Sequence, residues 1–278
     1  MSFIQRSVQA WTHHQSMLCV GLDPEPSRFP QGLSGLDRKA ATEAFCRGIV
    51  EATAPFACAF KPQIAHFAAL GAEDVLARLS HWVKSTYPRH LWILDAKRGD
   101  IGSTAQHYAT EAFDRYGADA VTLSPYMGTD SLAPFLQYPD KGVFLLCRTS
   151  NPGGDDIQMQ TLASGERVFE HIARLAATRW NEGGHMGLVV GATYPAEVKK
   201  VRTIAADLPL LIPGVGAQGG DLQATVAAAA TASGGMFINS SRAILYASAA
   251  DNWQEAAAAE AQKTRLAITE AFGPTRPA

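Results

Sequence analysis

Charge is scarce in this chain. Lys, Arg, Asp and Glu make up 18% of its 278 residues, below the ~25% usual for a globular domain. The 24 basic and 26 acidic residues leave a net charge of −2. The basic stripe or tail that grips nucleic acid is therefore missing. No run approaches the ~18 uninterrupted apolar residues of a membrane span. The opening MSFIQRSVQAWTHH lacks the apolar core of a secretory signal. Cysteine is limited to Cys19, Cys46, Cys58 and Cys147, with no CxxC spacing. Three of the four lie in or near apolar runs, which suits reduced core thiols better than a disulfide framework or a zinc site. Aromatic residues are only 9%, yet 47% of the chain is apolar, which excludes disorder. These absences predict a soluble, cytoplasmic protein with no membrane or nucleic-acid partner.

The apolar residues fall into eight short runs, each ending at a turn signal. They are Leu18–Leu22, Ala57–Phe60, Leu91–Leu94, Ala120–Leu123, Val143–Leu146, Leu188–Val190, Leu210–Ile212 and Met236–Ile238. Helical spacing lies between them. Val75, Leu79, Trp82 and Val83 share one face, as do Leu222, Val226, Ala229 and Ala230. Val168, Ile172, Leu175 and Ala176 repeat the pattern after Ser164, an expected N-cap. Strands that are apolar on both faces and alternate with helices indicate a parallel sheet covered by helices. Eight repeats predict an α/β chain of the (β/α)8 TIM-barrel type, where a Rossmann sheet would show about six strands. No Ser-, Gly- or Pro-rich linker divides the chain. Residues 1–278 are thus expected to form a single barrel, with an N-terminal helical arm (1–16) and a C-terminal helix and tail (250–278).

A barrel gathers the C-terminal ends of its strands at one mouth. The run Leu94-Asp95-Ala96-Lys97-Arg98-Gly99-Asp100-Ile101 places charge there. Strand residues two apart point the same way, so Asp95 and Lys97 are expected to project together. Gly99 would permit a turn that carries Asp100 back towards the pair or towards a neighbouring subunit. At an effective dielectric near 20, a carboxylate ~4 Å away contributes about 4 kcal/mol to keeping a lysine charged. Such a lysine is a poor Schiff-base nucleophile but a well-held proton donor. Lys61, at the end of the second run, suggests an alternating Lys–Asp chain. A salt-bridge network that merely closes the barrel mouth is the competing reading. Asp23 also stands at a strand end, although Asp-Pro commonly starts a turn.

The seventh run ends in Pro213-Gly214-Val215-Gly216-Ala217-Gln218-Gly219-Gly220-Asp221. This contains G-x-G-x-x-G, but it lies far from the first strand, and no acid follows ~20 residues on to hold a ribose. A barrel phosphate site between the loops after strands seven and eight fits better. Asn239-Ser240-Ser241-Arg242 would complete it, with Arg242 a charge-assisted phosphate ligand and Gln218 an amide donor.

Together these residues resemble the orotidine 5′-phosphate decarboxylase family over roughly residues 17–247. Asp95-x-Lys97-x-x-Asp100-Ile101-Gly102-x-Thr104 matches the family's D-x-K-x-x-D-I-x-x-T signature. Asp23, Lys61, Ser150-Asn151-Pro152-Gly153, Pro213 to Gln218, and Arg242 match in order. Two longer loops, Gly153–Gly165 and Glu25–Thr42, resemble the longer bacterial branch. Where many members carry Gly-Arg, this chain has Ser241-Arg242.

The resemblance implies decarboxylation of orotidine 5′-monophosphate to uridine 5′-monophosphate in pyrimidine biosynthesis, without metal or cofactor. It implies that Lys97 protonates C6 and that Asp95 lies beside the departing carboxylate. Lys61, Asp95, Lys97 and Asp100 would form the charge network. Asp100, Ile101 and Thr104 would serve substrate binding, with Asp100 and Thr104 reaching into the partner's site of a homodimer. Asp23 and Lys61 would hold ribose hydroxyls, and Ser150 the pyrimidine edge. Pro213, Gln218, Ser241 and Arg242 would surround the phosphate.

Three alternatives stay open. One is a related Mg²⁺-dependent phosphosugar barrel enzyme. Another is a dinucleotide-dependent oxidoreductase that uses the glycine loop. The third is a non-catalytic phosphosugar-binding barrel. His66, just after Lys61, is placed to approach the mouth. His13, His14, His81, His90, His107 and His185 show no ligand spacing.

Overall fold

The computed structural model describes residues 1–215 and 221–273. Its eight strands are β1 (Leu18–Leu22), β2 (Ala59–Pro62), β3 (Leu91–Arg98), β4 (Ala120–Leu123), β5 (Gly142–Arg148), β6 (Met186–Val190), β7 (Leu210–Ile212) and β8 (Met236–Ser240). They pair in parallel, each with its sequence neighbour, and β8 closes on β1. All residues of β1, β2, β4, β6, β7 and β8 are buried. This follows from helices outside and packed side chains inside the barrel.

All eight expected runs fall on strands, and β2, β3, β5, β6 and β8 differ from them in their bounds. β2 begins at Ala59, two residues later than Ala57. β3 continues past Leu94 to Arg98, so the charged cluster belongs to the strand. One helix start also differs. Ser164 is not the cap; the helix Val168–Ala177 begins after Arg167, whose N–H bonds the Glu170 carboxylate at 2.7 Å. Ser164 instead points its hydroxyl at Glu166, in a turn closed by a Thr161–Arg167 bridge. An acid at the third helical position satisfied the orphan N–H that a serine would have served.

The N-terminal arm forms the helix Phe3–His14, capped by Ser2 and Gln5. It packs against the barrel floor. Phe3 meets Phe144 edge-on at 5.6 Å, and Trp11 lies 5.0 Å from Phe237. Gly142 makes this approach possible, since a Cβ there would sit 2.3 Å from the Phe3 ring. Arg6 and Lys84 both pair with the fully buried Asp119, which also accepts the Trp92 N–H. Burial alone would raise the Asp119 pKa, but the two cations outweigh it and hold it low. The C-terminal helix runs Trp253–Phe272 and stacks Trp253 on Phe45 at 5.3 Å. All four cysteines are free and buried, and burial pushes the Cys19 thiol up to about 12. Among the described residues no helix is long and apolar enough to cross a membrane.

A pH-sensitive pair lies on the floor. His14 packs at a tilt against buried His90, with ring centroids 3.9 Å apart, and His90 Nε2 contacts the Ala54 carbonyl at 2.9 Å. Burial pushes both imidazoles down, with the neighbouring His90 adding to the shift of His14 to about 4. Neutral in the fold, each takes up a proton on unfolding below pH ~6.5. The His14 contribution is complete above pH ~6.5 and is lost as pH falls towards about 4, and that of His90 falls in the same direction. The melting temperature is expected to drop between pH 7 and 5, and to drop less in His14→Phe, which keeps an aromatic ring there but cannot protonate. Equal drops in both proteins would remove this assignment.

Candidate active site

The end of β3 departs from regular pairing. Leu94 stands opposite Val121 and Arg98 opposite Leu123, so Asp95, Ala96 and Lys97 together face the single residue Thr122. This bulge re-aims side chains, as bulges beside active sites do. It also corrects the expected geometry. Asp95 and Lys97 do converge, but not through plain alternation along a strand. Lys97 adopts φ +47°, a left-handed conformation that is rare for a residue with a side chain. Gly99, the expected turn residue, is not among the glycines with positive φ.

Asp95 is buried and divides its carboxylate between two lysines. Oδ2 accepts from Lys61 Nζ at 2.8 Å. Oδ1 accepts from Lys97 Nζ at 2.6 Å and from the Thr122 hydroxyl at 2.9 Å. Burial would raise the Asp95 pKa, but Lys61 and then Lys97 outweigh it and hold the group well below the carboxylate range. Burial would likewise strip the Lys61 ammonium of its proton, but the charges of Asp95 and Asp23 prevail and hold its pKa above the usual value. Lys61 is 5% exposed, whereas the Lys97 side chain is 46% exposed. One ammonium is thus fixed inside the barrel and the other reaches into the open mouth.

Two cavities adjoin this chain of charges. A polar one of about 240 Å³ is lined by Asp23, Lys61, Asp95, Asn239, Ser241 and Arg242. A larger one of about 620 Å³ is lined by Lys97, Ser124, Ser150, Ile157, Val189 and Pro213. Pro213 borders both. Asp23 Oδ1 and Asn239 Oδ1 are buried acceptors without a partner among the described residues. Buried acceptors of this kind ask for a ligand donor. Arg242 is exposed and opens the short helix Arg242–Leu245. The Ser241 side chain has room because β1 carries Gly21 opposite it; a Cβ at Gly21 would lie 1.9 Å from Ser241 Oγ.

Asp23, Lys61, Asp95, Lys97, Ser150, Pro213, Ser241 and Arg242 therefore share the mouth, as expected. Asp100, Ile101 and Thr104 do not. Asp100 bonds the adjacent Ile101 N–H at 2.8 Å and forms no ion pair among the described residues. Ile101 and Thr104 are exposed. Gln218 lies outside the described residues. His66 binds the Pro24 carbonyl at 3.2 Å and lines neither cavity.

Sequence reasoning missed Thr122 and Arg148. Arg148 is 1% exposed at the end of β5, where an arginine closing the run Leu145-Leu146-Cys147 was the available signal. It pairs with Asp155 at 2.6 Å and with Glu197, and lies under Tyr194. The loop carrying Ser150 is thereby tied to two helices. Gln158 adds a bond from the Thr149 N–H at 2.8 Å. Arg148→Ala is expected to cost about 3 kcal/mol, the low end for breaking a buried pair, because Asp155 can rehydrate at 57% exposure. Urea unfolding reads that loss, and an unchanged midpoint would contradict the anchoring role.

Comparison with known proteins follows the same residues. The family model described as "Orotidine 5'-phosphate decarboxylase / HUMPS family" matches residues 16–259. The chain belongs to this family. It is 60% identical over 276 residues to orotidine 5′-phosphate decarboxylase of Paracidovorax citrulli, covering 98% of this chain and 100% of that protein. The Delftia acidovorans protein of the same name is 58% identical, with 98% and 99% covered. Among solved structures, Leishmania donovani OMP decarboxylase superposes with a TM-score of 0.83 at 38% identity, covering 99% and 100%. Leishmania donovani UMP synthase gives 0.83 at 42%, covering 96% of this chain and 56% of that one.

Proposed function

We infer that this decarboxylase-family protein converts orotidine 5′-monophosphate to uridine 5′-monophosphate and CO₂, with Lys97 as the proton donor. The carrying observation is the chain Lys61–Asp95–Lys97, held at 2.8 and 2.6 Å beside the mouth cavities. Breaking the C6–carboxylate bond leaves its electron pair on C6, in the ring plane and outside the π system. Charge alone is left to stabilise that pair, and a pre-positioned ammonium does so without reorganisation. The Lys97 ammonium then gives its proton to C6 and regains one from water. Asp95 holds the Lys97 ammonium in place, with Oδ1 2.6 Å from Nζ. No step calls for a metal or a cofactor.

The remaining contacts are assigned by chemistry. Asp23 Oδ1 and Lys61 face ribose hydroxyls, and Ser150 reads the pyrimidine edge. Arg242, with Ser241 and Pro213 beside it, meets the phosphate; Gln218 joins them by resemblance alone. Phosphate binding remote from C6 contributes to the transition state. We read the chain as a single barrel, working as a cytoplasmic homodimer in which Asp100 and Thr104 serve the partner's site. The exposed apolar residues Ile101 (52%), Tyr126 (84%) and Met127 (45%), which follow the adjacent strands β3 and β4, support that interface.

The Mg²⁺-dependent alternative needs an acidic ligand set. Among the described residues no three His, Cys, Asp or Glu side chains converge in this way. One assay tests both readings. Orotidine 5′-monophosphate is mixed with EDTA-treated protein and its ultraviolet absorbance followed. Full turnover is expected; no turnover sinks the proposal, and turnover restored only by Mg²⁺ transfers it to the alternative.

A further inference from the structure

We propose that Thr122 is a positioning residue for decarboxylation, acting through Lys97 and Asp95. The inference rests on the reading of Lys97 as proton donor. The bulge leaves three residues of β3 opposite one of β4, so the backbone N–H groups there lose their ladder partners. The Thr122 hydroxyl replaces them. Its oxygen accepts the Ala96 N–H and the Lys97 N–H, each at 3.0 Å. Its proton goes to Asp95 Oδ1 at 2.9 Å. One donor and two lone pairs are all that a hydroxyl has, and each is used.

The same carboxylate oxygen accepts Lys97 Nζ at 2.6 Å. Lys97 is thus held at both ends: its main chain by Thr122, and its ammonium by the Asp95 oxygen that Thr122 orients. The left-handed φ of +47° is a strained conformation that persists only where surrounding contacts over-determine it. The two N–H bonds to Thr122 supply that constraint. Thr122 itself is 1% exposed and lines neither mouth cavity, so its influence on the reaction passes through its neighbours.

Thr122→Val keeps the shape and removes the hydroxyl; Thr122→Ser keeps the hydroxyl. A misplaced reacting group costs up to ~10²-fold, so Thr122→Val is expected to lower kcat by about 10–100-fold. KM and uridine monophosphate affinity should stay within about threefold, because the substrate does not touch Thr122. Thr122→Ser should restore kcat to within about threefold of wild type, whatever its melting temperature. If Thr122→Val does not fold, Thr122→Cys replaces it. A thiol is a weak donor and acceptor, so the cysteine variant should turn over at least about tenfold more slowly than the serine one. Wild-type kcat in Thr122→Val overturns the proposal, as does equal loss in the serine and cysteine variants. A parallel rise in KM would make the effect one of general distortion and also overturn it. Failure of the wild type to turn over the substrate is a separate result, and it removes the functional reading on which the inference stands.

Discussion

Lys97→Ala is expected to lose at least about 10⁴-fold in kcat, while uridine monophosphate still binds. Two separate contributions disappear together. A positioned proton donor supplies typically 10²–10⁴-fold, and a single pre-organised electrostatic contact to developing charge about 10²–10³-fold. Both belong to one ammonium here, so they are lost as a unit. The consequence for binding is different. The Lys97 side chain is half exposed, and the phosphate and ribose groups are assigned to Arg242, Asp23 and Lys61 on other elements. Asp95 also keeps Lys61 at 2.8 Å, so the buried carboxylate is not stranded without a cation. The fold should therefore survive. Product titration by calorimetry and single-turnover kinetics separate the two effects. Residual turnover within about tenfold of wild type would show that another group protonates C6.

The barrel was legible because a closed parallel sheet is apolar on both faces. Each strand then reads as a short continuous run, and eight runs with helical spacing between them leave little choice. Where charge replaced apolar residues, legibility stopped early. β3 runs on through Asp95, Lys97 and Arg98, since its far end faces the mouth and not the core. The composition of the site was visible as Asp and Lys at strand ends, but its construction was not. The convergence of Asp95 and Lys97 depends on a register shift against β4. A shift of that kind leaves no periodicity in one strand alone. Thr122 is a β-branched residue in an apolar run and reads as an ordinary strand former. Arg148 was visible only as a polar stop at the end of β5. Ser164 is not the cap because the Glu170 carboxylate takes the Arg167 N–H. The role of Asp100 was the least legible. Asp100 sits in the signature beside Lys97, yet among the described residues its carboxylate accepts the N–H of adjacent Ile101 and forms no ion pair.

That isolation of Asp100 leads to the sharpest test of the assembly. If Asp100 completes the partner's site, Asp100→Asn should cost about 10²–10³-fold in kcat through lost electrostatic support of Lys97. Asparagine can still accept the Ile101 N–H, so the loop geometry need not change. Lys97→Ala and Asp100→Asn dimers are then each inactive for a different reason. In a two-fold dimer with one subunit of each kind, one site carries both lesions and the other carries neither. After random reassortment half the dimers are hybrids with one intact site of two, so about a quarter of the wild-type activity should return. Neither variant can reach that level alone. Hybrids purified through two different tags should show about half of wild-type activity per dimer. If such hybrids form and stay inactive, Asp100 serves its own subunit. The exposed Ile101 and Thr104 beside it would then need another explanation. If sedimentation shows a monomer at assay concentration with full activity, the shared site itself is wrong.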